Sequence, residues 1–108
     1  MATLAIQPIA ATGTALTFAD ATSGGDKCHV GDRLFLLVKN GSGSSITVTL
    51  TTTAKESDFD VADNAVAVAA GAQTAIGPIE RELYADSDGL CGIAYSAVTT
   101  VTVASVSL

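Results

Sequence analysis

The chain has few of the side chains that usually carry out chemistry. Its 108 residues include no tryptophan, one methionine, one histidine and two cysteines, and charged residues make up only 15%. We recognise no catalytic constellation among these few candidates, so the sequence does not predict an enzyme. No stretch approaches the roughly 20 apolar residues that a membrane helix requires, so we expect no membrane partner.

The charge balance argues against a second class of partner. The net charge is −6 and the isoelectric point lies near 4.3, so the chain repels phosphate backbones. Three phenylalanines and two tyrosines are too few to form the stacking platforms of single-strand binders. We therefore expect no nucleic-acid partner.

The N-terminus and the two cysteines bear on the compartment. Residues 1–8, Met-Ala-Thr-Leu-Ala-Ile-Gln-Pro, lack the basic and long apolar segments of a secretory signal. We expect the protein to be made in a reducing cytoplasm, where Cys28 and Cys91 are more often free thiols than a disulfide. A disulfide between Cys28 and Cys91 is the alternative interpretation.

What the chain does contain is apolar residues, many of them β-branched, in period-two alternation. Apolar residues occupy the even positions from 34 to 38 and again from 46 to 50, whereas threonines occupy the odd positions from 47 to 51. The sequence Asn-Gly-Ser-Gly-Ser (40–44) separates the two runs. This pattern predicts a β-hairpin formed by strands over 33–39 and 45–52.

Other runs predict further strands and their connections. In the last strand the apolar parity switches between Val103 and Val106, which predicts either a bulge or burial on both faces. The 55–64 connection is acidic and predicts a solvated loop, or one that faces a basic partner, with Phe59 and Val61 returning towards the core. The remaining predicted segments are strands over 3–9, 14–18, 65–69 and 73–79, a loop over 20–29, a helical turn over 80–84, a turn over 86–89, and a final hairpin of 90–96 with 101–108.

The fold class follows from these segments. Seven to nine short strands with regular turns and no long helix predict one all-β domain over 1–108, an antiparallel β-sandwich, jelly roll or small barrel. The scarcity of large side chains predicts a thin core of valine, isoleucine and leucine. Residues 1–10 form either an N-terminal arm or an edge strand.

One cluster of residues suggests a metal or a nucleophilic site. Cys28, His29 and Cys91 would have to converge, with Asp32 as a further ligand, but adjacent side chains on a strand point to opposite faces. A Cys91–His29 nucleophile pair would need an orienting residue and a cleft, and the sequence marks neither. The simpler interpretation is a loop histidine beside a partly buried thiol.

A second candidate is Asp-Ser-Asp-Gly (86–89), which is similar to alternating calcium ligands. No bidentate glutamate follows at the required spacing, and a turn capped by aspartate side chains explains the same residues. We therefore assign no catalytic, cofactor-binding or metal-binding residue.

Five segments of the chain share a further pattern: Gly-Asp-Arg-x-Phe-Leu-x-Val-Lys-Asn-Gly-Ser-Gly (31–43), Ile-Thr-Val-Thr-Leu (46–50), Ala-Ala-Gly-x-x-x-x-Ile-Gly-Pro (69–78), Leu-Tyr-Ala-Asp-Ser-Asp-Gly (83–89) and Ala-Tyr-Ser-Ala-Val-Thr-x-Val-Thr-Val-Ala (94–104). Together they resemble the small decoration, or cement, proteins of tailed-phage capsids. Cys28, His29 and Cys91 depart from the pattern.

The resemblance implies a β-sandwich or jelly roll without enzyme activity or cofactor. It also implies homotrimers that bind the major capsid protein on the virion's outer surface, and we expect the N-terminal arm and one loop to grip the shell. On that expectation, deleting residues 1–7 abolishes capsid binding without unfolding the domain. Two alternatives remain. One is a carbohydrate- or ligand-binding sandwich, for which only Tyr84 and Tyr95 could supply stacking platforms, and the other is a tail-tube or head-fibre subunit.

Overall fold

The computed structural model of the chain describes residues 3–53, 55–56, 59–60 and 62–107, with backbone alone for 55–56 and 59–60. Two β-sheets pack face to face, and the predicted all-β sandwich is confirmed. The described residues form β1 (Ile6–Pro8), β2 (Ala19–Asp20), β3 (Asp26–His29), β4 (Leu34–Asn40), β5 (Ile46–Leu50), β6 (Lys55–Glu56), β7 (Phe59–Asp60), β8 (Asn64–Val68), β9 (Gln73–Ile76), α1 (Arg81–Tyr84), β10 (Leu90–Tyr95) and β11 (Val101–Ser107).

The strands divide between two sheets and a small hairpin. Sheet 1 has the order β3-β10-β5-β8 and is antiparallel throughout. Sheet 2 has the order β1-β11-β4-β9, and β2 also pairs with β11. The β1–β11 pair is parallel, so sheet 2 is mixed rather than purely antiparallel. Strands β6 and β7 pair only with each other in the described part of the chain.

The predicted hairpin between 33–39 and 45–52 is wrong, although both strands exist. β4 belongs to sheet 2 and β5 to sheet 1, so the chain crosses the sandwich between them. Buried Asn40 makes this corner. Its amide nitrogen donates to the carbonyl oxygens of Ser44 at 2.8 Å and Val68 at 3.1 Å, and its Oδ1 accepts the Ser42 N–H at 3.0 Å.

The predicted final hairpin is wrong for the same reason, because β10 lies in sheet 1 and β11 in sheet 2. The alternation was nevertheless interpreted correctly. The apolar faces of successive strands meet across the core instead of side by side in one sheet. The largest fully buried hydrophobic side chains are Leu36, Leu50, Ile79, Val38, Val48, Val68, Val101, Val103 and Val106.

Strand β11 resolves the parity switch. Its register with β4 runs unbroken from Val101 opposite Asn40 to Ser107 opposite Leu34, so there is no bulge. Val103 and Val106 lie on opposite faces, and both are fully buried. The second alternative is therefore correct: this strand is buried on both sides.

Residues 14–18, predicted as a strand, form no regular structure. The Gln7 side chain forms hydrogen bonds to both backbone groups of Thr17. It donates to the Thr17 carbonyl oxygen and accepts from the Thr17 N–H, each at 2.7 Å. A side-chain amide thus replaces the sheet ladder here. Phe18 lies beneath the Lys39 ammonium, 4.7 Å from ring centre to Nζ.

The segment predicted as a loop over 20–29 contains strand β3. Polar residues hide its alternation, because Asp26 faces inward and is only 1% exposed. Its carboxylate accepts hydrogen bonds from the Tyr95 hydroxyl at 2.8 Å and the Thr22 N–H at 3.1 Å. A buried aspartate with such partners can occupy a core position that sequence patterns reserve for apolar residues.

The N-terminal segment joins the two sheets. Thr3 forms a bridge with Lys27 of β3, and the Leu4 N–H donates to the Lys27 carbonyl oxygen at 2.8 Å. β1 then pairs with residues 105–107 of β11. Leu4 is buried in the core, whereas Ile6 and Ile9 remain 41% and 46% exposed. The segment is an edge strand of the fold that keeps two apolar side chains outside.

Of the other predicted segments, the 55–64 connection is wrong as a loop, because it contains the paired strands β6 and β7. The predicted strand over 73–79 ends earlier, at Ile76, and the remaining segments agree with the structure. β8 and β9 occupy the predicted strands over 65–69 and 73–79, and α1 is the predicted helical turn, with Tyr84 buried and Leu83 half-buried. The proposed return of Phe59 and Val61 to the core lies outside the residues whose side chains are described. None of the described residues form a helix long and apolar enough to cross a membrane.

Candidate functional site

The two cysteines face each other across neighbouring strands. In the antiparallel β3–β10 pair Cys28 is the direct partner of Cys91. Both side chains are fully buried and both are free thiols. The sequence could not show this convergence, because the residues lie far apart in the chain and only the strand register brings them together.

The neighbours of the thiols do not build a catalytic or metal site. His29 follows Cys28 on β3, so its side chain points to the opposite face, and its ladder partner is Leu90. Asp32 is exposed on the turn after β3. In the described ranges no three His, Cys, Asp or Glu side chains come close enough to hold a metal ion.

The protonation of the pair follows from its surroundings. A hydrogen bond with Cys91, together with burial, raises the pKa of Cys28 well above its usual range. The same contact lowers the pKa of Cys91, although burial opposes this effect. Cys91 is therefore the thiol of the pair that ionises more readily, and the Cys28 thiol stays protonated near neutral pH.

The Asp-Ser-Asp-Gly turn is built around Asp86. Its Oδ1 accepts the N–H groups of Asp88 at 2.8 Å and Leu90 at 3.1 Å, and its Oδ2 accepts the Lys27 ammonium at 2.8 Å. The Asp88 carboxylate lies 3.6 Å from the same ammonium. Lys27 thus already pairs with both carboxylates that a calcium ion would require, and the turn-capping interpretation fits the contacts.

Asp86 should make folding stability depend on acid pH. The hydrogen bond from Lys27, supported by the N–H groups of Leu90 and Asp88, lowers the pKa of Asp86 to about 2. A carboxyl whose pKa is depressed on folding stabilises the protein above its unfolded pKa, about 3.9, and loses this contribution as pH falls through the folded value. We expect Asp86→Asn to lower the melting temperature at pH 6 and to have little effect near pH 2.

Thermal unfolding at pH 6, 4, 3 and 2 checks this expectation. The exposed Asp32→Asn substitution is the matched control, and it should shift the melting temperature little at any of these pH values. A difference between wild type and Asp86→Asn that stays constant down to pH 2 contradicts the proposed role of the ion pair.

One side of the sandwich carries two strand edges that have no backbone partner among the described residues. Ser96 N–H donates to the Thr47 carbonyl oxygen, so odd-numbered residues of β5 turn their backbone groups towards β10 and even-numbered ones towards β8. In β8, Val66 therefore bonds to β5, while the N–H and C=O groups of Ala65 and Ala67 point outward.

Strand β9 shows the same arrangement in sheet 2. Ile79 N–H donates to the Leu34 carbonyl oxygen, which fixes the even-numbered residues of β4 towards β9. The backbone groups of Gln73 and Ala75 consequently point outward. No backbone hydrogen bond to these outward groups is found among the described residues.

This pair of edges, residues 64–79, is also free of charge. The segment contains no Asp, Glu, Lys or Arg, and Ala65, Ala67 and Ala75 are exposed. Native proteins usually protect an unpaired edge with charges, proline or a bulge within the strand. We refer to residues 64–79 as the open edge. Its signal in the sequence is the absence of charge, but the sequence does not show that both strands end a sheet.

Neither tyrosine side chain is fully exposed. Tyr84 is buried. Tyr95 is half-buried, its hydroxyl donates to Asp26, and burial together with that bond raises the pKa of Tyr95. A platform for carbohydrate stacking needs an accessible aromatic face, which Tyr84 lacks.

Comparison with known proteins adds no assignment to these features. The chain matches no family model, no curated protein and no solved structure. Its function is therefore inferred from the open edge, the exposed side chains and the contacts given above.

Proposed function

We propose that the chain is a structural virion protein, a capsid decoration protein that binds the outer surface of the shell as a homotrimer and stabilises it. We assign its sandwich to the jelly-roll type and its partners to the major capsid protein and to further copies of itself. The observation that carries the proposal is the open edge. An uncharged and unpaired edge supports a role in assembly rather than in chemistry.

A second copy of the chain is the occupant that the charges favour. The protein carries a net charge of −6, so most approaches between copies bring like charges together, but the open edge contributes none. Strand addition at such an edge supplies main-chain hydrogen bonds without specific side chains. A head-to-tail contact of this kind closes into a ring when its rotation allows, and a threefold ring is the simplest form consistent with the resemblance.

The contribution to the shell follows from mass action. A protein that binds only the assembled shell stabilises it by RT ln(1 + [L]/Kd), about 2.7 kcal/mol per site at a concentration of 100 Kd. Many copies on one shell multiply this effect.

The N-terminal segment supplies a contact surface for the shell. Ile6 and Ile9 are the large hydrophobic side chains left exposed in the described chain. Deleting residues 1–7 would not be a clean test, because it would also remove Leu4 from the core and β1 from sheet 2. We therefore expect the deletion to destabilise the domain, and point substitutions provide the cleaner test.

We expect Ile6→Asp combined with Ile9→Asp to reduce shell binding by about 100-fold, because burying an exposed isoleucine contributes about 1.5–3 kcal/mol. Sedimentation of the protein with purified shells measures the bound fraction, and melting of the shells measures their stabilisation. Wild type should co-sediment and raise the shell melting temperature, whereas the double variant should do neither at the same concentration.

The matched control places the same two charges elsewhere. Ser45→Asp with Ala97→Asp changes two exposed residues outside the N-terminal segment and should leave binding intact. Full binding by the isoleucine variant would exclude the segment as the contact. Failure of wild type to bind any shell would contradict the proposed function itself.

A further inference from the structure

The two free cysteines, Cys28 and Cys91, lie opposite each other at a separation that a disulfide could span. Residues directly opposite each other in an antiparallel ladder have Cα atoms about 4.5 or 5.5 Å apart, depending on the type of pair. Disulfides span Cα separations of about 4.4–6.8 Å. Cys28 and Cys91 occupy such opposed positions with both side chains in the core.

The position of β3 provides access to the buried thiols. β3 is the last strand of sheet 1, held on its outer side only by the short contact of Thr3 and Leu4 with Lys27 in the described chain. Edge strands with few partners open locally more often than central ones. Opening of β3 would expose both thiols while β10 remains paired with β5.

We propose that Cys28 and Cys91 form a modification site at which a low-molecular-weight disulfide, such as oxidised glutathione, converts the two thiols into an intramolecular disulfide. The Cys91 thiolate attacks one sulfur of the small disulfide and releases one small thiol, which takes up a proton. Once Cys91 is in the mixed disulfide, Cys28 no longer faces a thiolate; its sulfur then attacks the Cys91 sulfur, and the small thiolate that leaves takes up the proton lost by Cys28. Two protein thiols are oxidised, and one small disulfide is reduced to two thiols.

The lower pKa of Cys91 relative to Cys28 supports this order of attack. The closed bond would fix β3 to β10. Because Lys27 on β3 holds both Leu4 and Asp86, the bond would also hold the N-terminal segment and the 86–89 turn in place. The cross-link would remain open in a reducing cytoplasm and close after release into an oxidising medium.

The test uses the full-length protein and does not depend on shell binding. We expect incubation with oxidised glutathione to lower the intact mass by about 2 Da, the loss of two hydrogen atoms, with no glutathione attached. The melting temperature should rise on the order of 10 °C, since the bond closes a long loop. Dithiothreitol should reverse both changes.

Two single variants and a refolding arm keep the test decisive. Cys28→Ala and Cys91→Ala should show neither the mass loss nor the rise in melting temperature. Refolding wild type from urea in the same oxidised buffer gives the reagent access regardless of how often β3 opens. Two free thiols, or stable glutathione adducts, after refolding would overturn the proposal.

Discussion

Replacing Ala67 and Ala75 together by lysine is expected to convert the assembled protein into a monomer that keeps its fold. Both alanines are exposed, one on each strand of the open edge, and their outward backbone groups would be the ones that pair with a second copy. A lysine beside an unpaired edge disfavours strand addition through its charge and its bulk. We expect the apparent affinity between copies to fall by more than about 100-fold, because residues at the centre of an interface contribute most of its binding energy.

Light scattering across a concentration series measures this change, and circular dichroism checks the fold. The two lysines make the net charge less negative, so the loss of assembly cannot come from greater overall repulsion. Ala94→Lys is the matched control, because Ala94 is also an exposed alanine but lies on β10, which is paired on both sides. An unchanged oligomer in the double variant would assign assembly to another surface.

An independent variant removes a donor instead of adding a charge. Proline is tolerated at an edge where its missing N–H would have faced solvent. Ala65→Pro should therefore weaken assembly with a limited effect on folding, because the Ala65 N–H points away from β5. Val66→Pro should unfold the strand, since Val66 bonds to β5.

The sequence predicted the longer apolar strands, such as β4, β5, β10 and β11, because alternation is a local property. Each side chain in β4 or β5 reports its own face, so the buried positions of these strands follow directly from the pattern. Which sheet a strand joins is not local. The hydrogen bonds of Asn40 to Ser44 and to distant Val68 direct β5 into the opposite sheet. A hairpin turn rich in glycine and asparagine would have the same composition, so the sequence does not distinguish the two cases.

The sites were less predictable than the strands for the same reason. β3 was missed because Asp26 is a polar residue at a buried position, and its partner Tyr95 lies too far along the chain for the sequence to indicate the pairing. The pairing of Cys28 with Cys91 and the exposure of two edges on one side depend on strand order, which no short motif encodes. The Asp86 turn was interpreted correctly because its capping bonds are local, whereas its lysine partner was missed.

Truncating Leu36 is expected to cause a large loss of stability. Leu36 is fully buried on the central strand β4, between Ser105 of β11 and Ile76 of β9. Removing its side chain leaves a cavity that the two flanking strands cannot fill. We expect Leu36→Ala to lower the free energy of unfolding by about 2–5 kcal/mol, a large share of the roughly 5–15 kcal/mol typical of a domain. Urea denaturation followed by circular dichroism measures the change.

The neighbouring Leu37 is the matched control, because it is the same residue type on the same strand and points to the other face. It is half-buried and lies opposite Ala104 and Ala75. In the monomer we expect Leu37→Ala to cost no more than about 1 kcal/mol. A one-residue slip of β4 would exchange the two side chains between core and surface. A larger loss for Leu37→Ala than for Leu36→Ala would therefore show that the register is wrong, and with it the outward direction of the Ala75 backbone on which the open edge depends.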